Sequence, residues 1–339
     1  MSSTRIACCY YPTTVVFIDD SRSFLDNVSL EIDENISIVS FAEPKEAVEH
    51  LQKHTLDSFA EKYLRSLQDN ESLEEFDCSN VEHSCVDVNV IDIHKEIYNP
   101  DRFNAVTVAV VDYTMPGMNG LELCKALKDQ PIKFILITGY ATVNNAIEAF
   151  NAGVIHQFIQ KNDCDFTSKL HNAIYELQEK QFEEHSDIII KSLLTNRHSV
   201  GLGDPLLIDF LKKFFKENNI VEYYLVNDSG CFLMADARGN LSWMVIKSEE
   251  EMKQYTAIAI DNYGDQKVIE ALQSRKEVLF LRTEEDFIDV TVDDWGKHLH
   301  PATKIIGKND VYYYSHLKDM GNGVFPSKVI SYEKFLTAK

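Results

Sequence analysis

The strongest constraint on the fold is a repeated alternation, between residue 14 and about residue 180, of short apolar segments with amphipathic helical segments. Residues 15–18 are continuously apolar, residues 106–111 are apolar except for Thr107, and neither segment alternates with polar residues. Strands of this kind are buried on both faces, which is typical of a parallel sheet covered by helices. Five such strands alternate with five helices. This order predicts a doubly wound α/β fold of the flavodoxin-like type, with a five-stranded parallel sheet.

The spacing of these segments predicts two domains and an insertion. The first domain spans residues 12–180, and its rhythm is interrupted at 53–103 by a segment that begins as a prolonged helix and continues as an acidic stretch. Residues 181–200 are predicted to form a linker helix. The second domain, 201–339, contains three consecutive strand segments joined by hairpin-type turns that contain Asn and Gly, so we expect an α+β domain with a mostly antiparallel sheet.

Composition and charge exclude several classes of protein. The chain has 339 residues, 45% of them hydrophobic, and its apolar runs fall far short of the ~20 residues of a membrane span. We expect no signal peptide, because the first residues lack a long apolar core. Seven cysteines without a CxxC pair are typical of reduced thiols, so we expect a cytoplasmic protein. The net charge of -21 is unfavourable for a surface that wraps nucleic acid.

Polar side chains follow the predicted parallel strands at the point where each strand ends. They are Asp19 and Asp20 after the first strand, Asp112 after the third, Thr138 after the fourth and Lys161 after the fifth. Ligands of doubly wound sheets bind at the carboxyl ends of the strands, so we expect these side chains to share one crevice. Three carboxylates there repel one another unless a cation is present, and a hard ion such as Mg²⁺ prefers oxygen ligands. One carboxylate can then attack phosphorus, while the hydroxyl and the ammonium contact the transferred phosphoryl group.

This arrangement resembles the receiver domain of two-component response regulators. The resemblance rests on the pair Asp19-Asp20, the nine residues from Asp112 to Gly120, the pair Thr138-Gly139, and Phe158 three residues before Lys161. It implies that the first domain is a CheY-like receiver, the phosphoryl-accepting module of a phosphorelay. The implied phosphodonor is a sensor histidine kinase or a phosphotransfer protein, and no enzymatic activity beyond phosphoryl acceptance is expected.

The resemblance also implies a role for each residue of the crevice. Asp112 is the implied phosphoacceptor, and Thr138 and Lys161 are the implied contacts of the phosphoryl oxygens. Phe158 is the implied aromatic switch, which moves inward together with Thr138. The implied ligands of Mg²⁺ are Asp20 directly, Asp19 largely through water, Asp112, and the backbone carbonyl of Thr114.

Two features depart from the family pattern. Receivers usually have proline after the lysine, often with a cis peptide bond, whereas Asn162 follows Lys161 here. A cis bond without proline costs ~2.5–4 kcal/mol, so we expect a trans bond and a different loop into the fifth helix. The second departure is the insertion at 53–103, which separates the acidic pair from the phosphoacceptor and lies between elements, so it need not disturb the crevice.

A second resemblance covers the whole chain. The insertion segment 93–100 and the C-terminal segments 221–224 and 243–250 are similar to a smaller group of atypical response regulators with a non-standard output domain. The Lqs-type quorum-sensing regulators are the members of that group to compare first. These segments carry no chemistry that can be derived from their residues.

Three functions are compatible with the second domain. Binding of a protein partner or a small ligand is favoured, because the region from residue 201 carries 22 Asp and Glu against 17 Lys and Arg and has no basic helix-turn-helix pattern. The alternative is a transcriptional or other nucleic-acid-binding regulator with an unconventional output domain. A third interpretation is an enzyme gated by the receiver, suggested by His298 and His300, but no nucleophile or phosphate-binding loop accompanies them.

The insertion contains three residue types that could bind zinc, namely Cys78, His83 and Cys85. They lie in an acidic stretch and lack a paired CxxC partner, so a thiol-bearing loop without metal is the favoured interpretation. Mg²⁺ in the strand-end crevice is therefore the cofactor that the sequence predicts.

The helix after the fifth strand carries a large apolar face, formed by Leu170, Ile174 and Leu177, with Phe182 slightly off it and further apolar residues at 188–190 and 193–194. A face of this kind must be covered. One interpretation is that it packs on the C-terminal domain of its own chain. The other, which we predict, is a homodimer built around this helix and the fourth-helix face, with an affinity that rises on phosphorylation.

Overall fold

The structure is a computed structural model that describes residues 5–66, 86–139, 143–195, 200–281, 290–318 and 326–339. Its strands are β1 (Cys9–Tyr10), β2 (Thr14–Ile18), β3 (Ile38–Phe41), β4 (Leu64–Ser66), β5 (Val86–Val88), β6 (Val106–Asp112), β7 (Lys133–Thr138), β8 (Gln157–Gln160), β9 (Ile220–Leu225), β10 (Phe232–Asp236), β11 (Leu241–Ser248), β12 (Glu277–Leu279), β13 (Leu299–Pro301), β14 (Thr303–Ile306) and β15 (Val311–Lys318). Its α-helices are α1 (Arg22–Glu31), α2 (Pro44–Lys53), α3 (Phe59–Tyr63), α4 (Val90–Lys95), α5 (Gly120–Ala126), α6 (Val143–Asn151), α7 (Phe166–Leu194), α8 (Pro205–Glu217), α9 (Glu249–Asp261), α10 (Gln266–Gln273) and α11 (Tyr332–Thr337).

A parallel sheet of five described strands runs in the order β3-β2-β6-β7-β8. Its strands β2, β6 and β7 are buried along their whole length. Successive residues of a strand point to opposite faces, so Val108 and Val110 enter one apolar cluster while Ala109 and Val111 enter the other. Both faces need apolar residues, which explains the continuous apolar runs of the sequence. The predicted doubly wound fold is confirmed.

A second sheet has the order β1-β9-β10-β11-β15-β14 within the described residues. The pairs from β9 onwards are antiparallel. The turns that join β9 to β10 and β10 to β11 contain Gly230 and Gly239 in the left-handed conformation, with φ of 91° and 83°. The prediction of an α+β arrangement with a mostly antiparallel sheet is confirmed.

The described residues group into two compact units, each built from three segments of chain. The parallel-sheet unit consists of Tyr10–Ser58, Asn99–His185 and Tyr332–Lys339. The antiparallel-sheet unit consists of the described residues of Met1–Cys9, Phe59–Tyr98 and Ser186–Ser331. Most of the described part of the predicted insertion therefore belongs with the antiparallel-sheet unit, and residues 332–339 belong with the parallel-sheet unit.

The insertion does not begin as a prolongation of α2, as the sequence pattern predicted. Helix α2 ends at Lys53, and the separate short helix α3 follows. Between them, the carbonyl of His54 accepts a hydrogen bond from the N–H of Val106 at 2.6 Å, and Thr55 pairs with Val106 in a parallel bridge. These contacts with the start of β6 hold the chain extended after α2, which is why the predicted long helix is wrong.

Helix α7 is continuous over 29 residues, and the first part of its apolar face is covered by its own chain. Leu170, Ile174 and Leu177 lie in the cluster between the parallel sheet and α1, and Ile174 is fully buried. Phe182 packs edge-to-face against Tyr10 and Tyr11. Of the residues on which the homodimer was predicted, Leu170, Ile174, Leu177 and Phe182 are therefore core residues of the parallel-sheet unit. Ile188 and Leu194 of the same helix are 49% and 38% exposed.

Helix α11 packs at the opposite edge of the parallel sheet from the predicted crevice, near the amino ends of β2 and β3. The hydroxyl of Tyr332 accepts a hydrogen bond from the N–H of Ser37 at 3.1 Å and donates one to the carbonyl of Asn35 at 2.8 Å. The ring of Phe103 lies 5.1 Å from that of Tyr332 and 5.2 Å from that of Phe335, measured between centroids. This helix is thus a component of the parallel-sheet unit.

The sequence predicts no membrane-spanning segment. Among the described residues, no helix is both long enough and apolar enough to cross a bilayer.

Candidate phosphoryl-transfer site

The predicted strand-end residues meet at the carboxyl edge of the parallel sheet. Asp112 is the last residue of β6, Thr138 is the last residue of β7, and Asp19 directly follows β2. The order of the strands makes β2, β6 and β7 consecutive neighbours, and Lys161 directly follows the next strand, β8. Parallel strands end at the same edge, which is why residues distant in the sequence gather there.

Lys161 bridges two buried carboxylates. Its Nζ lies 2.7 Å from Oδ2 of Asp19 and 2.8 Å from Oδ1 of Asp112. The two aspartates are 1% and 5% exposed, so their charges are little screened by water. Bonds between charged partners at these distances are short and strong. The ammonium is therefore held at the point where a negatively charged ligand of Asp112 would lie.

The loop after Asp112 is shaped to bring the backbone close to this carboxyl group. The N–H of Thr114 donates to Oδ2 of Asp112 at 3.1 Å. A Cβ on Gly120 would lie 2.1 Å from the carbonyl oxygen of Asp112, so the position requires glycine. Asn119 caps α5 in a reciprocal arrangement with Glu122, which fixes the start of that helix.

Burial and charge shift the pKa values of the two central groups. Burial raises the pKa of the Asp112 carboxyl, and the nearby charge of Asp19 raises it further, against the lowering effect of Lys161. Burial alone would lower the pKa of the Lys161 ammonium, but the bonds from Asp112 and Asp19 outweigh it and raise this pKa. Lys161 therefore stays charged in the crevice, while the ionised form of Asp112 is held there at a cost.

The carboxylates fit a hard divalent cation. Asp19, Asp20 and Asp112 each offer an oxygen, and these atoms lie within 4.8 Å of one another. Asp20 is exposed, so this corner of the crevice is open to solvent. Three carboxylates against one ammonium leave an excess of negative charge, and oxygen donors are those that Mg²⁺ prefers.

Thr138 lies beside the crevice, and Phe158 lies on the neighbouring strand β8, in register with Leu136. Asp112 is in register with Ile137, so Thr138 lies one residue further along the neighbouring strand. Thr138 is fully buried, and its hydroxyl donates to the carbonyl of Gly139 at 3.0 Å. Phe158 is half-buried and packs against the apolar cluster that includes Leu123 and Ala146.

The loop after β8 differs from that of a proline-containing receiver. No peptide bond among the described residues is cis, so the bond between Lys161 and Asn162 is trans, as expected. The backbone N–H of Lys161 donates to the carbonyl of Thr138 at 3.0 Å. The departure from the family pattern at Asn162 therefore leaves Lys161 anchored to the end of β7.

The comparisons with known proteins match this geometry. Residues 71–175, which include Asp112, Thr138 and Lys161, match the family model described as the response regulator receiver domain. The solved structure of the Legionella pneumophila response regulator LqsR is 32% identical, with a TM-score of 0.79, and the match covers 98% of this chain and 95% of that one. The chain belongs to the response regulator family. It is a response regulator with a CheY-like receiver, followed by an antiparallel-sheet region.

Curated relatives match this response regulator over shorter stretches. The uncharacterized transcriptional regulatory protein YesN of Bacillus subtilis is 30% identical over 102 residues, which is 29% of this chain and 28% of YesN. The response regulator RppA of Synechocystis is 33% identical over 58 residues, which is 16% of this chain and 25% of RppA. The chain thus spans about a quarter of each of these two relatives.

The structure also adds a residue that the sequence analysis did not assign to the site. This residue is Phe24 of helix α1, whose ring centroid lies 4.5 Å from Nζ of Lys161. Its position four residues after Asp20, on a helix that begins at the crevice, was the signal available in the sequence. The three potential zinc ligands Cys78, His83 and Cys85 lie outside the described residues.

Proposed function

We propose that this response regulator accepts a phosphoryl group on Asp112 and relays the resulting change to the antiparallel-sheet unit. The observation that carries the proposal is the position of the Lys161 ammonium between the buried carboxylates of Asp112 and Asp19. An ammonium there is available to an oxygen of a phosphoryl group bonded to Asp112. A sensor histidine kinase or a phosphotransfer protein is the proposed donor.

In the proposed reaction, an oxygen of the ionised Asp112 carboxylate attacks the phosphorus of the donor. A bond forms between this oxygen and phosphorus, the bond between phosphorus and the leaving group breaks, and the bonding electrons depart with the leaving group. The product is an acyl phosphate. The ammonium of Lys161 leaves Asp112 for a phosphoryl oxygen, and the hydroxyl of Thr138 turns to a second one.

Asp19, Asp20, Asp112 and the carbonyl of Thr114 are the residues that we propose hold Mg²⁺. When bound, the ion supplies positive charge that offsets the carboxylates and the incoming phosphoryl group. Lys161 alone does not balance three carboxylates, which is why the crevice needs a second positive charge.

The test is an intact-mass measurement after incubation with acetyl phosphate and Mg²⁺. We expect a single phosphoryl adduct that is absent without Mg²⁺ and absent in Asp112→Asn. The matched control is Asp26→Asn, which removes an exposed carboxylate from helix α1 and should leave the adduct unchanged. An adduct that persists in Asp112→Asn would contradict the assignment.

Thr138 and Phe158 are proposed to convert the phosphoryl contact into a movement. Thr138 is buried beside the crevice, and Phe158 belongs to the strand that pairs with β7. Replacing Thr138 by Ala should therefore preserve phosphoryl acceptance and weaken the structural response. Hydrogen exchange of α6 and β8, with and without phosphodonor, measures that response. Equal changes in the wild type and in Thr138→Ala would refute the switch role.

The antiparallel-sheet unit is proposed to bind a protein partner or a small ligand. The acidic balance of the region from residue 201, with 22 Asp and Glu against 17 Lys and Arg, favours this over phosphate-backbone binding. The alternative, a nucleic-acid-binding output, predicts retention of duplex DNA that weakens steeply with salt. Similarity to LqsR over almost the whole chain supports a place among the atypical regulators, and we propose a quorum-sensing signal for it on the resemblance to Lqs-type proteins.

A homodimer is the proposed assembly of the phosphorylated form. The side chains that support it are Ile147 and Phe150 of α6, which are 41% and 48% exposed. Sedimentation velocity with and without phosphodonor tests it, with Ile147→Glu as the interface variant. Ile174 is unsuitable for this purpose, because its substitution would disrupt the core.

A further inference from the structure

The lysine of the crevice has a third contact besides its two carboxylates. Nζ of Lys161 lies over the ring of Phe24, 4.5 Å from the ring centroid. Phe24 is half-buried in helix α1, and its ring meets that of Phe166 in an edge-to-face arrangement, with centroids 6.2 Å apart and planes inclined at 68°. Phe166 begins helix α7, directly after the loop that follows Lys161. The ring beneath the ammonium group thus packs against a second aromatic ring.

An ammonium over the face of a phenyl ring is attracted by the negative potential of that face. The contact is directional, and it does not depend on the ionisation of Asp112 or Asp19. In the proposed reaction Lys161 leaves Asp112 for a phosphoryl oxygen, whereas the ring keeps its charge distribution. Phe24 is therefore a contact of Lys161 that can persist throughout the reaction.

The loop after Lys161 makes such a contact valuable. Proline would fix one backbone angle directly after the lysine, whereas Asn162 leaves that angle free. The backbone N–H of Lys161 is held by Thr138, but four rotatable bonds of the side chain determine where the ammonium group lies. A contact at the ammonium end of the Lys161 side chain restricts the rotamers that this side chain can adopt before the reaction.

We propose that Phe24 is a positioning residue that holds the Lys161 ammonium at the crevice by a cation–π contact, in place of the constraint that proline gives in other receivers. This inference rests on the proposed function of Asp112. It assigns to the first helix a part in phosphoryl transfer through the lysine, without contact between Phe24 and the phosphoryl group.

The kinetic test compares three variants of the full chain by the rate of phosphoryl incorporation from acetyl phosphate with Mg²⁺. Phe24→Leu removes the ring and should lower the rate at saturating donor by about three- to tenfold. Phe24→Tyr keeps the ring and should stay within about twofold of wild type. Phe166→Leu is the matched control for apolar packing, because it removes the neighbouring ring but keeps Phe24. A Phe24→Tyr rate as low as that of Phe24→Leu, or an equal loss in Phe166→Leu, overturns the proposal.

A spectroscopic test needs no phosphoryl transfer. In protein labelled at lysine, the ε-methylene protons of Lys161 should resonate upfield of those of the other lysines, because they lie over the ring. Lys161→Arg assigns the signal, which should move to the ordinary lysine position in Phe24→Leu and stay shifted in Phe24→Tyr. A signal that does not respond to loss of the ring overturns the inference. Failure of Asp112 to accept a phosphoryl group would instead refute the proposed function and leave this measurement intact.

Discussion

Tyr332→Phe tests whether helix α11 is an integral part of the receiver. The substitution removes one hydroxyl group from a residue that is 3% exposed and leaves the ring in place. That hydroxyl accepts the N–H of Ser37 at 3.1 Å and donates to the carbonyl of Asn35 at 2.8 Å. The loss therefore falls on the turn that leads into β3, at the amino end of the parallel sheet.

The expected loss of stability follows from what the hydroxyl leaves behind. Ser37 is 2% exposed, so its N–H would lose its partner in a place that water does not reach. An unsatisfied buried donor costs about 1–3 kcal/mol. Asn35 is exposed, and its carbonyl can bind water instead, so the loss of this second hydrogen bond adds little to the cost. We therefore expect a loss of about 2 kcal/mol, or roughly 6 °C in the melting temperature of a unit of this size.

Chemical denaturation measures the loss in the free energy of unfolding, and hydrogen exchange of the Ser37 amide measures the loss of local stability at that residue. A loss of about 2 kcal/mol corresponds to a roughly 30-fold faster exchange of this amide. The control is Tyr175→Phe, which removes a hydroxyl that donates to Asp33 at 3.2 Å from a side chain that is 41% exposed. It should change stability by less than about 0.5 kcal/mol. An unchanged Tyr332→Phe protein, or an equal loss in Tyr175→Phe, would refute the integral role of α11.

Three further substitutions test the crevice and the antiparallel-sheet unit. In metal-free buffer at pH 7, Asp112→Asn should raise the free energy of unfolding by about 1 kcal/mol, because burial raises the pKa of Asp112 and its ionised form destabilises the fold. The difference in unfolding free energy should shrink as the pH falls through the folded-state pKa of Asp112 towards the ordinary value of 3.8, because the wild-type carboxyl is then also neutral. Urea titrations across that pH range measure the difference, and a less stable Asp112→Asn protein at pH 7 would contradict the prediction. Gly120→Ala should cost about 2–3 kcal/mol because its Cβ meets the Asp112 carbonyl, whereas Gly139→Ala, with nothing within 4 Å, should be neutral in the same titration. Lys247→Met should lower the free energy of unfolding by about 3 kcal/mol in thermal denaturation, because it removes the ammonium group 3.2 Å from the buried carboxylate of Glu251. A loss below about 1 kcal/mol would contradict this prediction.

The parallel sheet could be predicted because its signals are local. A strand buried on both faces is apolar at most of its positions. β6 is buried over its whole length, and only Thr107 and its last residue, Asp112, are polar. The crevice could be predicted as well, because the residues at the carboxyl ends of parallel strands lie at one edge of the sheet. The opposite charges of Asp19 and Asp112 on one side and Lys161 on the other indicated that they meet there. Their approach to within 2.7 and 2.8 Å is the consequence of strand order.

Features that depend on contacts between distant segments could not be predicted in the same way. Extension of α2 agreed with the apolar spacing of the sequence, and what ends the helix is a pairing of Thr55 with Val106. The place of α11 depends on Phe103 and Ser37, which lie far away in the sequence, although the pair Tyr332 and Phe335 has the spacing of an apolar helix face. The contact of Phe24 with the site depends on the orientation of helix α1 against Lys161, which follows strand β8.

The three-segment construction of each unit has a consequence for how the chain folds as it is made. Protein domains generally complete their folding in the order of synthesis. Here residues 332–339 are translated after all of the antiparallel-sheet unit, although they complete the parallel-sheet unit. A nascent chain that has not reached Tyr332 therefore leaves the ring of Phe103 without two of its neighbours and the N–H of Ser37 without its acceptor. The parallel-sheet unit, most of which is translated before the antiparallel-sheet unit, is thus completed after it.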